Sequence, residues 1–150
     1  MGKVLLLNGP NLNLLGNRRE DIYDNQSLAQ IEADMQSFLS QYGLELISYQ
    51  SNHEGELIDR LQEANDDSVG VIFNPGAYTH TSIALHDCIE AINIPVIEVH
   101  ISNIHNRESF RSKSFIAPVS IGQVSGLGPL SYLTAAFALV NYLERKGEKY

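Results

Sequence analysis

Short apolar runs of strand length alternate along this chain with stretches in which apolar residues recur every three or four positions. Lys3–Asn8, Leu44–Gln50, Val69–Asn74, Pro95–Ile101 and Ala117–Val124 read as buried strands. Ser27–Tyr42 reads as a helix with Leu28, Ile31, Met35, Phe38, Leu39 and Tyr42 on one face. Ser27 and Gln30 match a capping box, and Gly43 suits the stop. Gly55–Asn65 forms a helix with Leu57, Ile58, Leu61 and Ala64 inward, and Ser82–Ile92 forms a third. A short helix falls within Arg107–Ser112. Pro129 is expected at the first position of the last helix, whose stripe is Leu130, Leu133, Phe137, Val140 and Leu143.

Strands that alternate with helices imply a parallel sheet covered on both faces. Five such units predict an α/β three-layer fold with flavodoxin-like winding, strand order 2-1-3-4-5. The 150 residues suffice for one core without staples, so 1–150 reads as a single domain. A formal net charge of -8 argues against a nucleic-acid surface. No stretch reaches the length of a membrane span, and the N-terminal apolar run is too short for a signal peptide. The expected location is the cytoplasm. The lone Cys88 excludes an internal disulfide and sits in an apolar helical pattern.

Open α/β sheets bind ligands beyond the carboxyl ends of their strands. The unusual polar segments lie there: Asn8–Asn13, Gln50–Gly55, Asn74–Ser82, His100–His105 and Gly122–Gly126. The opposite ends carry ordinary turn residues such as Gly43 and Asn93. The long connection from Gly16 to Gln26 is either a lid or a surface loop whose Tyr23 merely packs. Four of the six arginines, Arg18, Arg19, Arg107 and Arg111, fall in loops. They suit a small anionic ligand or are solvated charge. His80 and His100 leave the sheet at the same edge, which favours chemistry over a structural role. Tyr23 can act as a base only with a lowered pKa, and Arg18 in the same loop could lower it. His53, His80, His86, His100 and His105 form no metal-ligand pattern. No Walker loop or nucleophile elbow occurs. Neither metal nor cofactor is expected.

Four segments carry a resemblance. Asn8-Gly-Pro-Asn11-Leu-Asn-Leu-Leu-Gly16-x-Arg18, followed by Tyr23, is similar to the opening of type II 3-dehydroquinate dehydratases. Asn74-Pro-Gly-Ala-Tyr-Thr-His80 through Asp87 resembles their second motif, and Pro95 through His100, Ser102 and Arg111 their third. Ala117-Pro118-Val119, Gly122-Gln123 and Ser125-Gly126 resemble the fourth. The order is preserved over nearly the whole chain. Members commonly have Arg-Glu-Pro and Tyr-Gly in the lid, where this chain has Arg18-Arg19-Glu20 and Tyr23-Asp24. The Arg-to-Tyr spacing survives, so the departure bears on lid stiffness more than on chemistry.

The resemblance implies a cofactor-free anti elimination of water from 3-dehydroquinate through an enolate, giving 3-dehydroshikimate. It implies Tyr23 as general base, Arg18 as the cation that keeps it reactive, and His100 as general acid. Asn74 would hold the water or donor that stabilises the enolate oxygen. His80 and Arg111 would bind hydroxyls, and the amides of Ile101 and Ser102 the carboxylate. Asp87 would come from a neighbouring subunit of a dodecamer built from trimers. Asn11 and Glu98 either orient Tyr23 and His100 or serve strand-end hydrogen bonding. The same reaction serves aromatic biosynthesis and quinate breakdown. The rival readings are a non-enzymatic flavodoxin-like binding module and a lyase for another polyol acid.

Overall fold

The computed structural model describes residues 2–16 and 26–145. Five strands, β1 (Gly2–Asn8), β2 (Leu44–Gln50), β3 (Gly70–Asn74), β4 (Val96–His100) and β5 (Gly122–Ser125), form one parallel sheet of order β2-β1-β3-β4-β5. The predicted strand order is therefore the observed one. Four α-helices cover it: α1 (Leu28–Ser40), α2 (Glu54–Asp67), α3 (Ile83–Ala91) and α4 (Leu130–Glu144).

Alternation along each strand sends neighbouring side chains to opposite faces. Val4, Leu6, Ile72, Ile97 and Val99 pack with Ile31, Met35 and Leu39 of α1 and with Tyr132, Ala135, Ala136 and Leu139 of α4. Leu5, Leu7, Val71, Phe73 and Val96 pack with Leu57 and Leu61 of α2 and with Leu85, Cys88 and Ile89 of α3. Burial pushes the Cys88 thiol pKa up, which suits a core residue and not a nucleophile.

The Ser27 hydroxyl accepts from the Gln30 amide at 3.2 Å and the Gln30 side chain accepts from the Ser27 amide at 2.9 Å, forming the predicted capping box. Gly43 takes φ of 69° after α1, as a left-handed stop requires. Because α1 ends at Ser40, Tyr42 leaves the predicted stripe and is 43% exposed.

Three expectations are corrected. Ala117–Val119 is a turn of 3-10 helix, not the start of β5. The Ser114 hydroxyl accepts from the amides of Ile116 and Ala117 and tightens the backbone before pairing begins. Pro129 is the N-cap of α4, one residue earlier than expected. The buried face of α4 is Tyr132, Ala135, Ala136, Leu139 and Val140, whereas Leu130 and Phe137 are exposed. The small Ala135 and Ala136 let the helix settle close to the sheet. The short helix expected within Arg107–Ser112 is present, as a turn of 3-10 helix at Ser109–Arg111.

Candidate functional site

Strand register gathers the polar residues. Gln50, Asn8 and Asn74 are adjacent at the carboxyl edge, and His100 pairs with Ser125. Gly9 allows the turns after β1 and β3 to close on each other, because a Cβ there would lie 2.4 Å from the Pro75 carbonyl oxygen. The Gly9 amide donates to the Asn74 carbonyl at 2.8 Å.

His100 and Glu98 are two residues apart on β4, so both turn to the α2–α3 face. Both are buried, Glu98 completely. His100 Nε2 lies 2.5 Å from a Glu98 carboxyl oxygen. The Ser114 hydroxyl, already an acceptor for two amides, spends its proton on both Glu98 oxygens at 2.9 and 3.0 Å. Glu98 is therefore an acceptor, and Nε2 carries a proton towards it. Among the described residues His100 Nδ1 has no partner, so it is the nitrogen left to face a ligand.

Asn8 and Asn74 turn to the other face, in the rows of Leu6 and Ile72. Between them stands the wholly buried Tyr132 hydroxyl, which donates to Asn8 Oδ1 at 2.6 Å and accepts from Asn74 Nδ2 at 2.9 Å. Asn74 Oδ1 accepts from the Gly76 amide at 3.1 Å. Burial pushes the Tyr132 pKa up, with the Asn74 amide partly opposing. Its folded value thus lies above the ordinary value of about 10. The stability that the neutral hydroxyl contributes is complete below about pH 10 and is lost as pH rises beyond it. The stability gap between the unaltered protein and a Tyr132→Phe variant is therefore expected to narrow above about pH 10. Urea unfolding at about pH 8 and about pH 10.5 measures it; an unchanged gap contradicts this.

His80 Nδ1 donates to the Lys113 carbonyl at 2.8 Å, which leaves Nε2 as its ligand-facing nitrogen. Arg111 Nε donates to Glu108 at 2.6 Å, and its guanidinium lies 5.0 Å from the Phe110 ring centre. That hydrogen bond holds the exposed Glu108 carboxyl below its ordinary pKa. The Ile101 carbonyl accepts from Gly128 and the Ser102 carbonyl from Ser125, so the backbone between them is held by its oxygens. Among the described residues, no loop or turn backbone hydrogen bond is donated by the Ile101 or Ser102 amide.

Asp87 is exposed on α3, beside His86, which is tied through Nδ1 to the Phe115 carbonyl. Asn11 is exposed in left-handed conformation, φ 71°, with its amide bound to Asn52. Tyr23 and Arg18 lie outside the described residues. Among the described residues no group of three or more His, Cys, Asp and Glu side chains is placed for a metal ion, and no helix is long and apolar enough to cross a membrane. A cavity of about 230 Å³ opens between the N-terminal ends of α1 and α4, walled by Tyr132, Met35, Asp34 and Leu133. None of the predicted site residues that the structure describes lines it.

Sequence reasoning missed Tyr132, Ser114 and the role of Asn8. The available signal was a tyrosine in a helix otherwise rich in aliphatic side chains, since a buried hydroxyl needs a partner.

A five-stranded flavodoxin-like sheet with a carboxylate-backed histidine and a buried amide pair at its carboxyl edge defines an α/β protein built for polar small-molecule chemistry. The sequence profile of the family described as dehydroquinase class II matches residues 2–140, and the chain belongs to that family. It is 54% identical over 148 residues to a 3-dehydroquinate dehydratase of Anoxybacillus flavithermus, covering 99% of this chain and 100% of that one. It is 55% identical over 143 residues to one of Bacillus cereus, covering 95% and 98%. A type II dehydroquinase structure from Butyrivibrio crossotus superposes with TM-score 0.88 at 42% identity, covering 93% of this chain and 97% of the other. One from Propionibacterium acnes gives 0.87 at 35%, covering 94% and 97%.

Proposed function

We infer that this chain is a hydro-lyase that removes water from 3-dehydroquinate to give 3-dehydroshikimate, in the shikimate route to aromatic amino acids. The observation that carries the chemistry is the buried Glu98 carboxylate accepting from His100 Nε2. An imidazolium there keeps one proton on Nε2 and presents the other on Nδ1. Hydroxide is a poor leaving group, and a proton delivered to it lowers the barrier. Incubating the protein with 3-dehydroquinate, without added metal or cofactor, tests the reading. Ultraviolet absorbance of the conjugated enone should rise; a flat trace rejects it.

The residue roles continue the proposal. Tyr23 takes the proton α to the ketone, and Arg18 stabilises its phenolate. Asn74 supplies the donor side for the enolate oxygen, directly or through water. The Ile101 and Ser102 amides take the carboxylate. His80, through Nε2, and Arg111, through its terminal nitrogens, bind hydroxyls. Asn11 orients Tyr23, and Glu98 orients His100. The chain acts as one catalytic domain in the cytoplasm. It assembles as trimers within a dodecamer, where Asp87 reaches a neighbour's substrate; its exposure on α3 supports that role.

Arg111→Ala is expected to raise KM about ten- to a hundredfold with little change in kcat, the loss of about 1.5–3 kcal/mol typical of a charge-assisted hydrogen bond. Steady-state kinetics and product affinity measure it. Unchanged affinity removes Arg111 from the binding set.

A further inference from the structure

We propose that Tyr132 is a positioning residue for the dehydration, one whose hydroxyl fixes the orientation of the Asn74 amide and so the donor that Asn74 presents. The inference rests on the Asn74 role proposed above. It follows from a hydrogen-bond chain with only one consistent polarity. The Gly76 N–H can only donate, so the Asn74 atom facing it is Oδ1. Asn74 Nδ2 must then face Tyr132, which accepts. The single Tyr132 proton is left for Asn8, whose Oδ1 receives it. Asn8 Nδ2 ends the chain, fully buried and without a partner among the described residues. Turning Asn8 over would give that nitrogen a partner in Tyr132 but leave the tyrosine proton without its acceptor. The fold keeps an unpaired amide and preserves the polarity.

The three side chains come from β1, β3 and α4, and Asn8 and Asn74 are register partners on adjacent strands. Asn74 Nδ2 has two protons, and Tyr132 takes one. The other is uncommitted among the described residues. Without the Tyr132 hydroxyl, the amide nitrogen loses its anchor and the second proton loses its fixed direction. A donor aimed at developing charge stabilises the transition state more than the ground state, so the loss should fall on kcat.

The test is a kinetic double-mutant cycle in the enone assay with Tyr132→Phe, Asn74→Ala and both together. Tyr132→Phe should lower kcat about tenfold with KM within about threefold. In the Asn74→Ala protein, adding Tyr132→Phe should cost less than about twofold, because the hydroxyl acts through the amide. Independent, multiplicative penalties overturn the proposal, as does a Tyr132→Phe protein with undiminished kcat. An Asn74→Ala protein with full kcat overturns it too. Should Tyr132→Phe fail to fold, Asn8→Ala, which removes the acceptor of the tyrosine proton, replaces it in the same cycle with the same expectations. No turnover by the unaltered protein would reject the reaction itself; turnover with multiplicative penalties rejects only the Tyr132 role.

Discussion

Replacing His100 by alanine is expected to lower kcat on 3-dehydroquinate by about two to four orders of magnitude, the usual contribution of a positioned general acid. The hydroxyl then leaves without a proton, while the groups assigned to the carboxylate and other hydroxyls are untouched. Affinity for the product should therefore change much less than turnover. The variant also strands Glu98, which keeps only the Ser114 hydroxyl as a partner among the described residues. Removing one member of a buried pair typically costs about 3–5 kcal/mol, so a drop in Tm should accompany the loss. Single-turnover kinetics well below Tm separate the two effects. A variant with near-normal turnover would leave His100 as a structural residue and dissolve the acid assignment.

The strand order and the gathering of polar residues at the carboxyl edge were legible because they depend on local signals. Val4–Leu7 and Val71–Phe73 are apolar on consecutive positions, as strands covered on both faces must be. The residues that follow them, Asn8 and Asn74, break the run abruptly with amides. The face of α4 was not legible. Leu130, Leu133, Phe137, Val140 and Leu143 made a plausible stripe, of which Val140 is buried, yet the helix is apolar almost all round and its period is ambiguous. Packing decided the matter in favour of Ala135 and Ala136. The start of β5 failed for a different reason: Ala117-Pro118-Val119 has strand composition, but the Ser114 hydroxyl captures two amides and winds it into a turn. The Asn8–Tyr132–Asn74 chain was invisible because its members lie 124 and 58 residues apart. No local pattern announces a contact at that separation. The same limit hid Ser114, whose partner Glu98 is 16 residues away across a loop.

Tyr23→Phe is expected to reduce kcat by about two to four orders of magnitude while ligand binding stays measurable. The ring survives, and only the oxygen proposed to take the proton is lost. A free phenol has a pKa of about 10 and is a scarce base near neutrality. The assignment therefore requires a cation beside it, and Arg18, five residues earlier, is the proposed one. This coupling yields a second readout with a definite sign. The base works only when deprotonated, so its pKa sets the rising limb of the rate against pH. On the proposed pairing the guanidinium lowers that pKa, so Arg18→Ala should carry the limb to higher pH and recover part of its lost rate in alkaline buffer. Arg18→Lys, which keeps charge but not the planar fork, should move the limb less. A kcat profile whose rising limb stays in place after Arg18→Ala, or a Tyr23→Phe protein that turns over normally, would require a different base.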